Sequence, residues 1–138
     1  MTDLQDRPAA VLGSRLLRRE DPALLTGEAK YTNDLNVPGA LHLVMVRSPY
    51  AHARIVSVDL SAALAVPGVV AAYSGADLTW AAPMPCAWPV TADMKNPAHY
   101  PLAVGKAAYV GDGVACVLAT SDVAARDAAE LVDVQYDP

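Results

Sequence analysis

Residues 41–59 read LHLVMVRSPYAHARIVSVD, and the fold can be worked out from this stretch. Residues 41–46 and 54–59 each alternate with a period of two, which is typical of β-strands. The RSPYAH segment between them, residues 47–52, predicts a turn or a short loop. We therefore expect two strands joined by a short connection.

The next residues predict a short helix followed by a third strand. Ser61 is expected to cap a helix over residues 62–65, and Pro67-Gly68 is expected to end it. Residues 69–73 are rich in Val, Ala and Tyr, and this composition predicts a third strand.

A Gly-Asp-Gly run at residues 111–113 predicts a turn between two further strands. Residues 107–110 and 114–119 flank it, which indicates a hairpin whose two glycines can both take positive φ. A dinucleotide-binding G-x-G-x-x-G motif is disfavoured, because its third glycine would fall at Cys116 and a strand follows instead of a helix.

The C-terminal part predicts a helix and a final strand. Ser121 is expected to cap a helix that runs to about Leu131, and residues 132–136 alternate again. The helix carries a narrow apolar stripe that would face a sheet. Its members are Ala124, Ala125, Ala128 and Leu131. The pattern predicts an α+β domain with a mixed sheet and one main helix near the C-terminus.

The sequence also contains two stretches that lack this regular pattern. Residues 1–24 contain Pro8 and Pro22 without a sustained period, so they are expected to form an extended arm before a domain over residues 25–138. Residues 79–101 form a Pro-rich segment that is unusually long for a loop without regular structure.

The Pro-rich segment is the predicted interface or substrate-access surface. Its prolines restrict the unfolded chain, and Trp and Met are enriched at the centres of interfaces. The residues concerned are Trp80, Met84, Trp88 and Met94. The alternative is that the two tryptophans fold back and seal the core of this domain.

Composition restricts the possible partners. The 138 residues suffice for one domain, and 54% of them are hydrophobic with no Phe, which favours a core of Val, Leu and Ala and leaves apolar surface for docking. A net charge of −5 argues against nucleic-acid binding. Without an apolar run of about 18 residues or a signal sequence, no membrane insertion is expected, and the expected location is the cytoplasm.

The sequence predicts no catalytic, cofactor-binding or metal-binding residue in this chain. Cys86 and Cys116 form no C-x-x-C pair; Cys116 is expected to be buried and Cys86 exposed. Ser48 has no nucleophile motif around it. The histidines also lack metal-ligand spacing, and they are His42, His52 and His99.

A series of motifs nevertheless carries a family resemblance. They are GSRLLRREDPALLTGEAKYTNDL (13–35), VPGALHLVMVRSPYAHARIVSVDLSAA (37–63), VPGVVAAYSGADL (66–78), PLAVGKAAYVGDGVA (101–115) and ELVDVQYDP (130–138). In this order they resemble the start of the molybdenum-containing large subunit of the xanthine dehydrogenase, aldehyde oxidase and carbon monoxide dehydrogenase family. One departure is Asp112-Gly113, where the family often carries Glu or Gln and then Pro.

The resemblance implies an α/β-hammerhead domain that precedes a much larger molybdopterin-binding part. In the family, the molybdenum cofactor and the catalytic glutamate belong to that larger part, and iron–sulfur clusters and FAD belong to other subunits or domains. The implied reaction is oxidative hydroxylation of an aldehyde, an N-heterocycle or carbon monoxide, with no activity expected for this chain alone. The alternative is a stand-alone binding or assembly module with the same fold.

Overall fold

The computed structural model describes residue 12 and residues 17–85 and 91–138. The chain divides into two compact units, residues 1–38 and residues 39–138, which are described separately.

In the first unit, the described residues form one short helix and one tight turn. Helix α1 (Asp21–Leu25) has Pro22 in its first turn, where the missing backbone N–H would have no helical partner. The 3₁₀ turn over Thr32–Asp34 is closed by the carboxylate of Asp34, which accepts a hydrogen bond from the Tyr31 N–H at 3.0 Å. The hydrogen bonds of this helix and this turn join residues that are close in sequence.

Helix α1 crosses the predicted boundary between an arm over residues 1–24 and a domain over residues 25–138. Most of the arm lies outside the described residues. That division therefore stays a prediction.

In the described part of the second unit, the chain forms six strands, two helices and a 3₁₀ turn. They are β1 (His42–Arg47), β2 (Ala53–Asp59), α2 (Ser61–Leu64), β3 (Val69–Ser74), the 3₁₀ turn (Gly75–Leu78), β4 (Lys106–Ala107), β5 (Gly113–Ala119), α3 (Asp122–Glu130) and β6 (Asp133–Asp137).

The strands form two sheets. Sheet 1 has the order β1-β5-β3 and sheet 2 has the order β4-β2-β6, and all of these pairings are antiparallel. The α+β fold with one main helix near the C-terminus is confirmed. The strands predicted from the sequence are thus shared between two three-stranded sheets.

The hairpin predicted around residues 111–113 is wrong. Strand β4 pairs with β2 in sheet 2, whereas β5 lies between β1 and β3 in sheet 1. Gly111 takes a positive φ of 92°, but Gly113 does not. The physical reason is that β5 is apolar at nearly every position, so it is buried best as a central strand with a neighbour on each side.

The predicted cap of the short helix is also wrong. Helix α2 begins at Ser61 itself, and the Ser61 N–H donates a hydrogen bond to the Asp59 carboxylate at 2.8 Å. This bond lowers the pKa of Asp59. The capping acceptor is therefore the carboxylate at the end of β2.

Helix α3 has the predicted cap and most of the predicted stripe. The Ser121 hydroxyl accepts a hydrogen bond from the Ala124 N–H at 3.2 Å. Ala125 and Ala128 are fully buried. Leu131 is 49% exposed, so its assignment to the stripe that faces the sheet is wrong, because it follows the last helical residue, Glu130.

The core lies between α3, α2 and one face of sheet 1. At its centre are Ala63, Val117 and Ala128. Small alanines on both helices allow their backbones to approach the sheet closely. The partly buried residues around this centre are Val66, Val69, Ala72, Ala129 and Val132.

Candidate functional site

The Pro-rich segment exposes its large side chains wherever the structure describes them. Trp80 is 82% exposed, and Met84 and Met94 also lie at the surface. The alternative that both tryptophans seal the core is therefore wrong for Trp80, and Trp88 lies outside the described residues. None of the three described side chains lines the cavities reported below.

The segment is anchored near both of its ends. The Met84 N–H donates a hydrogen bond to the His99 carbonyl at 2.7 Å, and the Ala103 N–H donates one to the Gly113 carbonyl at 2.7 Å. Gly75 lies so close to Ala103 that a Cβ atom would overlap the Ala103 carbonyl oxygen. Ala103, which follows the segment, thus lies beside Gly75 and the start of β5.

A carboxylate fixes the turn from which the segment departs. Asp77 accepts hydrogen bonds from both the hydroxyl and the N–H of Ser74, each at 2.7 Å. These bonds lower the pKa of Asp77, with the hydroxyl contributing most. The turn is therefore held by an ionised group at neutral pH.

A second cluster lies at the end of β1, within the RSPYAH connection. The Ser48 N–H donates to the Asp112 carbonyl at 2.8 Å, and the Gly111 N–H donates to the Ser48 carbonyl at 2.8 Å. The buried Asp112 carboxylate accepts from the Ala108 N–H at 2.9 Å. Sequence reasoning missed the pairing of the Ser48 and Asp112 backbones, because these residues are more than sixty positions apart.

The Ser48 hydroxyl is committed to local structure. It donates to the Tyr50 carbonyl at 3.2 Å and accepts from the Tyr50 N–H at 3.1 Å. The ring of Tyr50 lies 5.0 Å from that of Tyr136. Burial raises the pKa of Tyr136, and a hydrogen bond with Ser48 partly offsets that effect. Tyrosines supply no general base here, so this cluster is suited to joining β1 and β6 and not to nucleophilic chemistry.

Two cavities lie near these anchors. One of about 250 Å³ is lined by residues 55–58, 74–76 and 103–105, where β2 bulges at Val56. Its walls are mostly apolar, which suits a small apolar group. The other cavity, of about 130 Å³, is lined by residues 98–100, 103–104, 106, 108 and 112. Its polar side chains are those of His99, Tyr100, Lys106 and Asp112.

The described residues do not fit a bound metal. Within residues 17–85 and 91–138, no three His, Cys, Asp or Glu side chains are grouped closely enough to hold a metal ion. Cys116 is 7% exposed, which confirms its predicted burial, whereas Cys86 lies outside the described residues. No reaction step is therefore assigned to a metal or cofactor held here.

The described part of the chain also contains no helix that is both long enough and apolar enough to cross a bilayer.

Comparison with known proteins identifies the family to which this fold belongs. The family described as "Aldehyde oxidase and xanthine dehydrogenase, a/b hammerhead domain" matches residues 26–138. The chain is 43% identical over 129 residues to the nicotine 6-hydroxylase large subunit of Paenarthrobacter nicotinovorans, covering 92% of this chain and 16% of that protein. It is 36% identical over 137 residues to the carbon monoxide dehydrogenase large chain of Hydrogenophaga pseudoflava, covering 98% of this chain and 16% of that protein.

Among solved structures, quinoline 2-oxidoreductase from Pseudomonas putida 86 superimposes with a TM-score of 0.80 and 42% identity. The superposition covers 91% of this chain and 16% of that one, so the chain spans about a sixth of the length of these relatives. Since the family match extends over most of the sequence, this chain belongs to the aldehyde oxidase and xanthine dehydrogenase family, in which residues 26–138 correspond to the α/β-hammerhead domain.

Proposed function

We propose that this chain is the hammerhead domain, or a separately encoded hammerhead subunit, of a molybdenum hydroxylase. The proposal rests on the match of residues 26–138 to the hammerhead domain. The TM-score of 0.80 with quinoline 2-oxidoreductase supports it. Its role is non-catalytic and lies in assembly and substrate access.

The proposed reaction is the hydroxylation of an aromatic N-heterocycle. The relatives named nicotine 6-hydroxylase and quinoline 2-oxidoreductase are 43% and 42% identical to this chain, compared with 36% and 38% for two carbon monoxide dehydrogenase large chains. In such a reaction a ring C–H and water give a ring C–OH, two protons and two electrons. A molybdopterin-type molybdenum cofactor supplies this chemistry when bound, and we assign it to the remaining part of the large subunit.

The proposed partners follow from the same assignment. They are the remaining molybdopterin-binding part of the large subunit and subunits that carry iron–sulfur clusters and FAD, which take the two electrons. The proposed location is the cytoplasm.

The Pro-rich segment is the proposed contact with the molybdopterin-binding part or with the substrate channel. The exposure of Trp80, together with that of Met84 and Met94, supports this assignment, because a tryptophan exposed in the free domain can be buried at an interface at little conformational cost. The anchors at Asp77 and Ala103 hold the ends of the segment and so limit the entropy lost on docking.

The proposal is tested by purifying the protein that contains this chain from its native cell, with an affinity tag on this chain. We expect molybdenum in the purified material and hydroxylation of quinoline or nicotine with an artificial electron acceptor. Material that lacks molybdenum but retains a stable protein partner would favour the stand-alone assembly module instead.

Trp80→Ala tests the segment within that preparation. We expect assembly to weaken by about 2 kcal/mol, measured as the molybdenum-loaded fraction under dilution, while the unfolding midpoint of the hammerhead domain stays the same. Val123→Ala, at an exposed apolar position on α3, is the control. A lower unfolding midpoint without a change in assembly would contradict the proposed contact.

A further inference from the structure

Sheet 1 is covered by helices on one face only within the described residues. Val117 of β5 packs on Ala63 and Ala128, so its face of the sheet meets the helices. Because successive side chains of a strand point to opposite faces, Cys116 and Leu118 lie on the other face. We call this the open face. Cross-strand pairing gives its members as Leu43, Met45, Ala71, Tyr73, Cys116 and Leu118.

The open face is apolar and only partly covered. On the edge strands Leu43 is 54% exposed and Tyr73 is 42% exposed, whereas Cys116 of the central strand is 7% exposed, and none of the six members is charged. An antiparallel sheet with one solvated face usually alternates apolar and polar residues along each strand. Residues 114–119, VACVLA, show no such alternation. This central strand has the composition of one that is buried on both faces.

The helices on the other side of sheet 1 present a charged surface to solvent. The outer surface of α3 carries four exposed charged residues, and an ion pair of 2.8 Å joins Arg126 to Asp122. These four are Asp122, Arg126, Asp127 and Glu130. The contrast between a charged helix surface and an uncharged sheet face indicates which side of sheet 1 has a partner.

We infer that the open face docks onto the remaining, molybdopterin-binding part of the large subunit, an inference that rests on the proposed function. The relatives of this chain are about six times as long, since the chain covers 16% and 17% of two of them, so most of each of those proteins lies outside the matched region. The occupant must present an uncharged apolar surface, which is the chemistry of an interface within one folded subunit.

One end of the open face lies beside Leu102 at the start of β5. A Cβ atom added to Gly113 would stand 2.7 Å from the methyl carbon of Met45 and 3.6 Å from a methyl carbon of Leu102. Leu102 directly follows the last proline of the segment. Met45 of the open face and the buried Leu102 therefore meet beside the start of β5.

Photocrosslinking in the native cell tests the inference on the intact protein. Leu43→p-benzoylphenylalanine places a crosslinker on the open face, and Leu131→p-benzoylphenylalanine is the matched control, because Leu131 is the same residue type, 49% exposed, at the end of α3. We expect position 43 to crosslink to a peptide of the molybdopterin-binding part, with a yield about tenfold above that of position 131. The peptide is identified by mass spectrometry.

Several outcomes would overturn the inference. They are a crosslink from position 43 to the Pro-rich segment, a crosslink to residues 39–138 of a second copy, and the lack of any crosslink. Molybdenum is measured in the same purified material. If molybdenum is absent, the proposed function fails as well; if it is present, only the open-face inference fails.

A paired substitution provides an independent readout. Leu43→Lys places a charge on the open face and should lower the molybdenum-loaded fraction of the purified protein about tenfold, whereas Leu131→Lys should leave that fraction unchanged. Equal effects of the two substitutions would overturn the inference. Hydrogen exchange in β5 then shows whether the variant domain still folds, and a loss of β5 protection in Leu43→Lys assigns Leu43 to the stability of this domain and also overturns the inference.

Discussion

Gly75 lies where two backbone segments approach too closely for a side chain. A Cβ at this position would overlap the carbonyl oxygen of Ala103, whose N–H is bound to Gly113. Glycine is needed here for space, and not for a left-handed conformation, since its φ is not positive. The contact fixes the return of the Pro-rich segment onto the sheet.

Gly75→Ala is therefore expected to be destabilising. The added methyl group must push the 102–103 backbone away, so we expect the free energy of unfolding to fall by about 1–3 kcal/mol in urea melts. Ala76→Ser, at the exposed neighbouring position, should change it by less than about 0.5 kcal/mol. Equal midpoints for the two variants would show that residues 102–103 do not pack on Gly75.

Asp77 links stability to pH. Its hydrogen bonds to Ser74 lower its pKa in the folded chain, so the ionised carboxylate is favoured by folding. This contribution is complete above the ordinary Asp pKa of about 3.9 and is lost as the pH falls through the lower folded value. Asp77→Ala should thus reduce the free energy of unfolding by about 1 kcal/mol at pH 7, and by progressively less below pH 4.

Urea melts of wild type and Asp77→Ala at pH 7, 4 and 3 check this dependence. Asp127→Ala, on the exposed side of α3, is the control and should show no comparable convergence. A difference between wild type and Asp77→Ala that grows on acidification would contradict the role given to Ser74.

Among the elements, α3 is the one that the sequence describes best. Its cap at Ser121 and its buried alanines are local features, and both occur as predicted. Its terminal Leu131 was misplaced because helical periodicity shows which side a residue faces and not how far the sheet extends along the helix.

Ala128→Leu tests the packing of α3 on sheet 1. Ala128 is fully buried against Ala63 and Val117, so three extra carbons must displace neighbours, and we expect a loss of about 1–3 kcal/mol in urea melts. Val123→Leu, at an exposed position of the same helix, should change the midpoint little. An unchanged midpoint for Ala128→Leu would place this side of the helix in solvent.

At the scale of the whole molecule, the described residues expose large apolar side chains on two surfaces. The open face and the Pro-rich segment both expose large apolar side chains, and the described residues hold no metal-ligand group. A domain built this way is expected to depend on a larger protein for its function.

We therefore expect residues 1–138, expressed alone, to bind no molybdenum and to lack hydroxylase activity. Elemental mass spectrometry of the purified chain measures this directly, with the protein purified from the native cell as the positive control. Stoichiometric molybdenum in residues 1–138 alone would contradict both the proposed division of labour and the assignment of the cofactor to the remaining large subunit.

Local patterns were sufficient for much of the fold. Period-two alternation indicated β1, β2 and β6, the Ser121 cap indicated α3, and the order of the motifs indicated the family that the comparisons confirmed. These features depend on residues that are close in sequence, where side-chain periodicity and capping act directly. The exposure of Trp80 could also be expected from its setting among prolines.

The arrangement of the strands into sheets could be determined only from the tertiary structure. Strand β4 pairs with β2, β5 joins β1 to β3, and Ser48 meets Asp112, although in each case the partners are far apart in sequence. Strand propensity does not select a partner, because any exposed edge offers the same backbone donors and acceptors. The choice is made by burial of β5 between two neighbouring strands and by close contacts such as that at Gly75, which exist only once distant segments have packed together.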